Sequence, residues 1–200
     1  DFPVFKSQKE NIRIVQTGAG IANASAATAL AVVKYVPRRV FHTGICGVYS
    51  ERTDHLLMPV AGTSALFADM GKDTDKGFLT LAQMGLSPAE SGTPLSEMVH
   101  LCPDNLPEHI VRGVFLTVST CSGTRKTAES YRSRFSFAGN PVLCEDMEAA
   151  AIGLVCFKAG IACTVLKIVS NRCGDAVILP KTIKEAAQKA QETLLNIPAM

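Results

Sequence analysis

The chain has 200 residues, a formal net charge of +2, 47% hydrophobic residues and no tryptophan. That length fits one domain with a sizeable core. No apolar run reaches the ~18 residues of a membrane span, and the basic residues are scattered, with Arg38-Arg39 the only adjacent arginines, so no membrane and no nucleic acid is expected as a partner.

The first expected element is a strand at 12–17, closed by Gly18-Ala19-Gly20. An Ala-rich, helix-favouring stretch follows at 21–34 and ends before Pro37. Strand, glycine turn and helix can open a βαβ unit whose amides hold an anion; the same glycines also suit a plain tight turn. A second strand is expected at 39–43, again followed by glycines in Thr43-Gly44-Ile45-Cys46-Gly47-Val48. Two such turns belong at the carboxyl edge of a parallel sheet, where ligands bind. Residues 56–61 continue the sheet. Residues 68–77 are polar and turn-rich. The segment through Pro107, with prolines at 88, 94, 103 and 107, reads as a lid, a partner-facing loop or a surface excursion.

A strand at 111–119 runs into a third small-residue loop at 120–124, and a short polar helix is expected at 127–137. In Cys144-Glu145-Asp146-Met147-Glu148-Ala149-Ala150-Ala151 three carboxylates crowd the start of an apolar helix that stops at Gly160. Acids in a first turn are favoured by the helix dipole, which would keep Glu148 ionised. A buried-type strand at 161–169 ends in Ser170-Asn171-Arg172-Cys173-Gly174-Asp175, and an amphipathic helix spans 181–195. The alternation gives an α/β fold, a sandwich around a central sheet. Seven cysteines without a CxxC pair suggest neither a metal site nor a disulfide framework, and a reduced, cytoplasmic setting.

Four motifs carry a resemblance: Gly18-Ala19-Gly20-Ile21-Ala22-Asn23-Ala24, Thr43-Gly44-Ile45-Cys46-Gly47, Asp146-Met147-Glu148-Ala149 and Ser170-Asn171. In this order the chain resembles the nucleoside phosphorylase and nucleosidase superfamily. Phe67-Ala68-Asp69-Met70-Gly71, the stretch 117–124 and Ser170-Asn171-Arg172-Cys173-Gly174 look like its futalosine hydrolase branch. The resemblance implies a single domain over 1–200, a three-layer sandwich around a mixed, mostly parallel sheet. It also implies a small-molecule nucleoside substrate, a homodimer or higher homo-oligomer, and no cofactor.

The reaction implied is cleavage of an N-glycosidic bond through an oxocarbenium-like ribosyl cation. Glu148 would accept from the ribose hydroxyls and stabilise that cation. Met147 would pack under the sugar, unless it is a core methionine. Ile45, Cys46, Gly47, Asp146 and Ser170 would complete the substrate site.

Asn171 stands where adenine-specific members carry an aspartate. An amide donates and accepts but is no general acid, which suits a 6-oxopurine and release of hypoxanthine from futalosine, a step of menaquinone synthesis. Phosphorylases carry an arginine where this chain has His42, and residues 18–24 contain no basic side chain; both favour water over phosphate. An inosine-type phosphorylase, a 5′-methylthioadenosine/S-adenosylhomocysteine nucleosidase and a non-catalytic purine binder remain as alternatives. The family opens with an apolar strand followed by a water-activating glutamate. Residues 1–10 show no such strand, and Glu10 precedes the strand at 12–17. The base role is therefore not transferred to Glu10, and either that strand is missing or hydrolysis is impaired.

Overall fold

The computed structural model describes residues 2–6, 11–50, 53–86, 98–104, 106–135, 137–139, 141–177 and 179–197. Glu10 and the prolines at 88 and 94 lie outside them. The chain runs β1 (Val4–Lys6), β2 (Arg13–Val15), α1 (Ile21–Tyr35), β3 (Arg39–Val48), β4 (Pro59–Phe67), β5 (Gly71–Thr74), β6 (Gly77–Thr80), β7 (Val99–His100), β8 (Val111–Thr117), α2 (Arg125–Arg134), β9 (Val142–Asp146), α3 (Ala149–Lys158), β10 (Ala162–Arg172) and α4 (Pro180–Leu195).

The central sheet has the order β10-β3-β9-β8-β4-β7, and β10 also pairs β4, so the sheet curls back on itself. Its longest ladders are parallel: β10 with β3, β4 with β8, and β8 with β9. The β3–β9, β10–β4 and β4–β7 contacts are antiparallel. Side-chain alternation splits the core into layers. Cys46, Val48, Phe115, Cys144, Val165 and Val169 pack with α1 and α3. Ile168 and Ile45 face Ala186 and Ala190 of α4, and Val114, Leu116 and Val118 pack with Ala128 of α2. The expected sandwich around a mixed sheet is what forms.

Helix ends follow local chemistry. The Thr124 hydroxyl caps α2 by accepting the Thr127 N–H at 3.1 Å. Pro180 opens α4, where its missing N–H costs nothing. Among the described residues, no helix is long and apolar enough to cross a membrane.

Four expectations are corrected. A short strand, β1, does form within the first ten residues; it pairs antiparallel with β2 in a separate ribbon. The strand at 12–17 therefore takes its partner from β1, and the βαβ unit expected to start there does not form among the described residues. The glycines at 44 and 47 make no turn, because β10 pairs in parallel with every residue from Arg39 to Val48, with one register shift between Val169 and Asn171. The stretch at 68–77, polar and turn-rich as expected, supplies the first strand and the turn of a hairpin, β5–β6. Glu145 and Asp146 end strand β9 rather than begin a helix.

Gly113 sits in β8, which pairs with strands on both sides. A Cβ there would stand 2.7 Å from Val60 Cγ1 and 2.8 Å from the Val142 carbonyl oxygen. Gly113→Ala should therefore cost about 1–3 kcal/mol by overpacking, read as a lower urea midpoint with an unchanged slope. An unchanged midpoint would contradict this packing.

Candidate active site

The carboxyl ends of β8, β9 and β10 converge beside the end of β3: Thr117 pairs Asp146, Gly47 pairs Glu145, and Asn171 pairs Gly47. This brings Met147 and Glu148, which follow β9, to the same edge as Ser170 and Asn171.

At its centre is Lys167. It interrupts the apolar run of β10, with Leu166 and Ile168 facing away from α3. Its ammonium is 1% exposed and lies 2.7 Å from Asp146 Oδ2 and 2.8 Å from Glu148 Oε2. Burial alone would push its pKa down; the charges and hydrogen bonds of Asp146 and Glu148 outweigh that and hold it above the ordinary lysine value. A buried charge needs such partners.

Asp146 also serves α3. Its Oδ2 accepts the Ala149 N–H at 2.8 Å, and its Oδ1 accepts the Thr117 hydroxyl at 2.7 Å. The Thr117 oxygen in turn accepts the Ala150 N–H at 2.9 Å. Glu148 was expected in the first turn of this helix, held by its dipole. It is instead the N-cap residue and makes no side-chain capping bond there; Asp146 and Thr117 already take the Ala149 and Ala150 amides. The Glu148 carboxylate turns to the start of α1, where Oε1 accepts the Gly20 N–H at 3.0 Å. The glycine turn at 18–20 thus does hold an anion, and the anion is Glu148.

His42 stands beside this group. Burial and then the Lys167 charge drive its pKa well below the ordinary histidine value, against a smaller opposing pull from Glu148, so the ring is neutral. Its buried Nε2 has no hydrogen-bond partner among the described residues. His42, Asp146 and Glu148 each offer one ligand atom within 4.8 Å of the others. A metal ion there would have to displace the Lys167 ammonium, which already bridges both carboxylates. Two carboxylates against one ammonium and a neutral imidazole leave the cluster formally one negative charge.

Asn171 is half-buried. Its Oδ1 accepts the Ser170 hydroxyl at 2.8 Å and its amide donates to the Arg172 carbonyl at 3.1 Å. The Ser170 hydroxyl also lies 3.2 Å from the Cys46 carbonyl. Gly47 makes room for this arrangement: a Cβ there would stand 2.8 Å from Cys173 Sγ and 3.3 Å from Asn171 Nδ2. Met147 is half-buried next to Glu148. The Cys46 side chain is buried in the α3-side core. Ile45 packs on the α4 side with Ile168, so only its backbone is on the way to the site.

Sequence reasoning missed Lys167 and Glu145. The signal for Lys167 was a lone lysine in an otherwise apolar strand, a pattern that asks where the partner is. Glu145 faces the α2 side, opposite Asp146, and is buried against Tyr49 and Ser122. A separate cleft of about 470 Å³, bounded by Tyr49, His55, Arg132, Phe135 and Leu143, also lies on that side. Neither Glu148 nor Asn171 lines it.

The family model described as the phosphorylase superfamily matches residues 2–198. A 5′-methylthioadenosine/S-adenosylhomocysteine nucleosidase of Staphylococcus epidermidis is 24% identical over 203 residues, spanning 96% of this chain and 83% of the relative. Among solved structures, the corresponding nucleosidase of Colwellia psychrerythraea 34H in complex with adenine superposes with a TM-score of 0.72 at 19% identity, over 98% of this chain and 85% of that one. A futalosine hydrolase mutant of Helicobacter pylori gives a TM-score of 0.74 at 17% identity, over 98% and 88%. With its fold, and with a family match that runs almost from end to end, the chain belongs to the phosphorylase superfamily.

Proposed function

We propose that the chain is a nucleosidase: it hydrolyses the N-glycosidic bond of a purine nucleoside through a ribosyl oxocarbenium-like transition state. The observation that carries this is the placement of Glu148, fixed between the Gly20 amide and the Lys167 ammonium at the sheet edge. A fixed carboxylate is worth most where positive charge develops, because it needs no reorganisation during the reaction. Of the two carboxylates on Lys167, Glu148 is the accessible one, 15% exposed against 0% for Asp146. The ribose hydroxyls would donate to that carboxylate, and Met147 would lie under the sugar.

Water is the favoured nucleophile. A phosphate would seek the N–H groups at the start of α1, and Glu148 holds the Gly20 amide there. Lys167 is already shared between two carboxylates, and His42 is neutral. A multiply charged anion would be repelled rather than bound.

Asn171 supports a 6-oxopurine leaving group. Ser170 fixes its amide oxygen, and one amide hydrogen goes to Arg172, which leaves the other to donate to a keto oxygen or a ring nitrogen. With the segments that resemble the futalosine branch, this makes futalosine the proposed substrate and hypoxanthine the released base. Adenine release is the second reading, favoured by the methylthioadenosine nucleosidases among the relatives.

The purified protein, given futalosine, inosine and methylthioadenosine in turn, should release hypoxanthine from futalosine fastest and without phosphate. Adenine from methylthioadenosine would select the second reading, and a phosphate requirement with a sugar 1-phosphate product would overturn hydrolysis. Glu148→Gln should lower kcat by at least about a hundredfold, the loss of one preorganised electrostatic group, and should lower Tm less than removal of the lysine does, because Lys167 keeps Asp146. Lys167→Met should instead destabilise the fold by about 3–5 kcal/mol, since it strands two carboxylates. Unchanged turnover in the first variant, or an unchanged Tm in the second, would contradict these roles.

A further inference from the structure

Glu145 is a buried carboxylate, 5% exposed, on the face of β9 opposite Asp146. No cation pairs with it among the described residues. Such a group must be satisfied by hydrogen bonds or it is costly. Its Oε1 accepts the Ser122 N–H at 2.9 Å, and its Oε2 accepts both the Ser122 and the Tyr49 hydroxyls. Burial, and then the Glu145 charge, push the Tyr49 hydroxyl up in pKa, so it stays a donor.

These bonds belong to a closed ring. The Ser122 carbonyl accepts the Gly174 N–H at 2.8 Å, and the neighbouring Cys173 N–H donates to the Val48 carbonyl at 2.9 Å. Val48 is followed by Tyr49, whose hydroxyl returns to Glu145. The ring ties together the end of β3, the loop after β8 and the segment after Asn171. Asp69 holds the loop from its other end, accepting the Ser119 N–H at 2.6 Å and the Thr120 N–H at 3.3 Å. The loop begins where the Val118 N–H donates to the Asp146 carbonyl at 2.8 Å, one residue before Met147 and two before Glu148, so it starts at the same sheet edge as Glu148.

We propose that Glu145, through Tyr49 and Ser122, is a positioning residue for base recognition: it closes the ring that fixes Asn171 and the loop after β8 against Gly47. It touches no substrate itself. This inference rests on the reading of Asn171 as the group that meets the purine. It assigns a role to the carboxylate that neither the sugar chemistry nor the helix cap uses. A ring closed by a charged acceptor is short and directional, so opening it should loosen the base contacts while leaving Glu148 and Lys167 in place.

The test compares Tyr49→Phe and Glu145→Gln with the wild type. Each weakens the ring by about one hydrogen bond, so KM for the hypoxanthine nucleoside should rise about tenfold. The preference for a 6-oxopurine over a 6-aminopurine nucleoside should fall by a similar factor, while kcat stays within about threefold. A lower Tm with KM and base preference unchanged would reduce Glu145 to a structural role and overturn the proposal. If the wild type cleaves no nucleoside, the nucleosidase reading fails by itself, and calorimetric binding of free hypoxanthine replaces KM. Affinity about tenfold weaker in both variants then supports the ring; equal affinity, or no binding by the wild type, overturns it.

Discussion

The site depends on one ammonium group with two acidic neighbours. Lys167 is buried in the middle of an apolar strand, and only Asp146 and Glu148 make that tolerable. The two carboxylates then do different things. Asp146 caps α3 and, with Thr117, ties that helix to β8. Glu148 is drawn off its own helix to the amide of Gly20 at the start of another. One lysine thus holds two helix starts and the sheet in register. It also leaves a carboxylate whose position no longer depends on a ligand.

That arrangement separates two kinds of anion site that share a fold. An empty helix start with free cations nearby invites phosphate. Here the helix start holds a side-chain carboxylate, the nearest lysine is shared, and burial and the adjacent ammonium keep His42 neutral. The same charges that repel a phosphate would attract a ribosyl cation. In the proposed reaction, the choice of water over phosphate and the stabilisation of the sugar cation rest on the same electrostatic arrangement.

Much of the fold was legible in the sequence because its signals are local. The Ala-rich run at 21–34, the apolar run at 161–169 and the amphipathic run at 181–195 became α1, β10 and α4 with small shifts at their ends. What failed depended on partners distant in the chain. Gly44 and Gly47 read as turn residues, yet β10 keeps them in a strand, and the glycine at 47 answers to Cys173 and Asn171 more than a hundred positions away. Three acids within four positions, Glu145, Asp146 and Glu148, suggested a helix start. Only the sheet shows that Glu145 and Asp146 still belong to a strand and therefore point to opposite faces, one toward Tyr49 and Ser122 and one toward Lys167. Glu148 and Asn171 could be singled out from their motifs. Lys167 carries no motif, and its importance comes from burial, which a sequence does not display.

The central claim is that this cluster recognises positive charge on a five-membered sugar ring. The direct measurement is a pair of dissociation constants for two hypoxanthine-like nucleoside analogues. One carries a cationic pyrrolidine in place of the ribose and the other a neutral ring of the same shape. The account predicts that the cationic analogue binds at least about a hundredfold more tightly, as expected of a transition-state mimic, and that Glu148→Gln removes most of the difference. Equal affinity for the two analogues in the wild-type protein would contradict it.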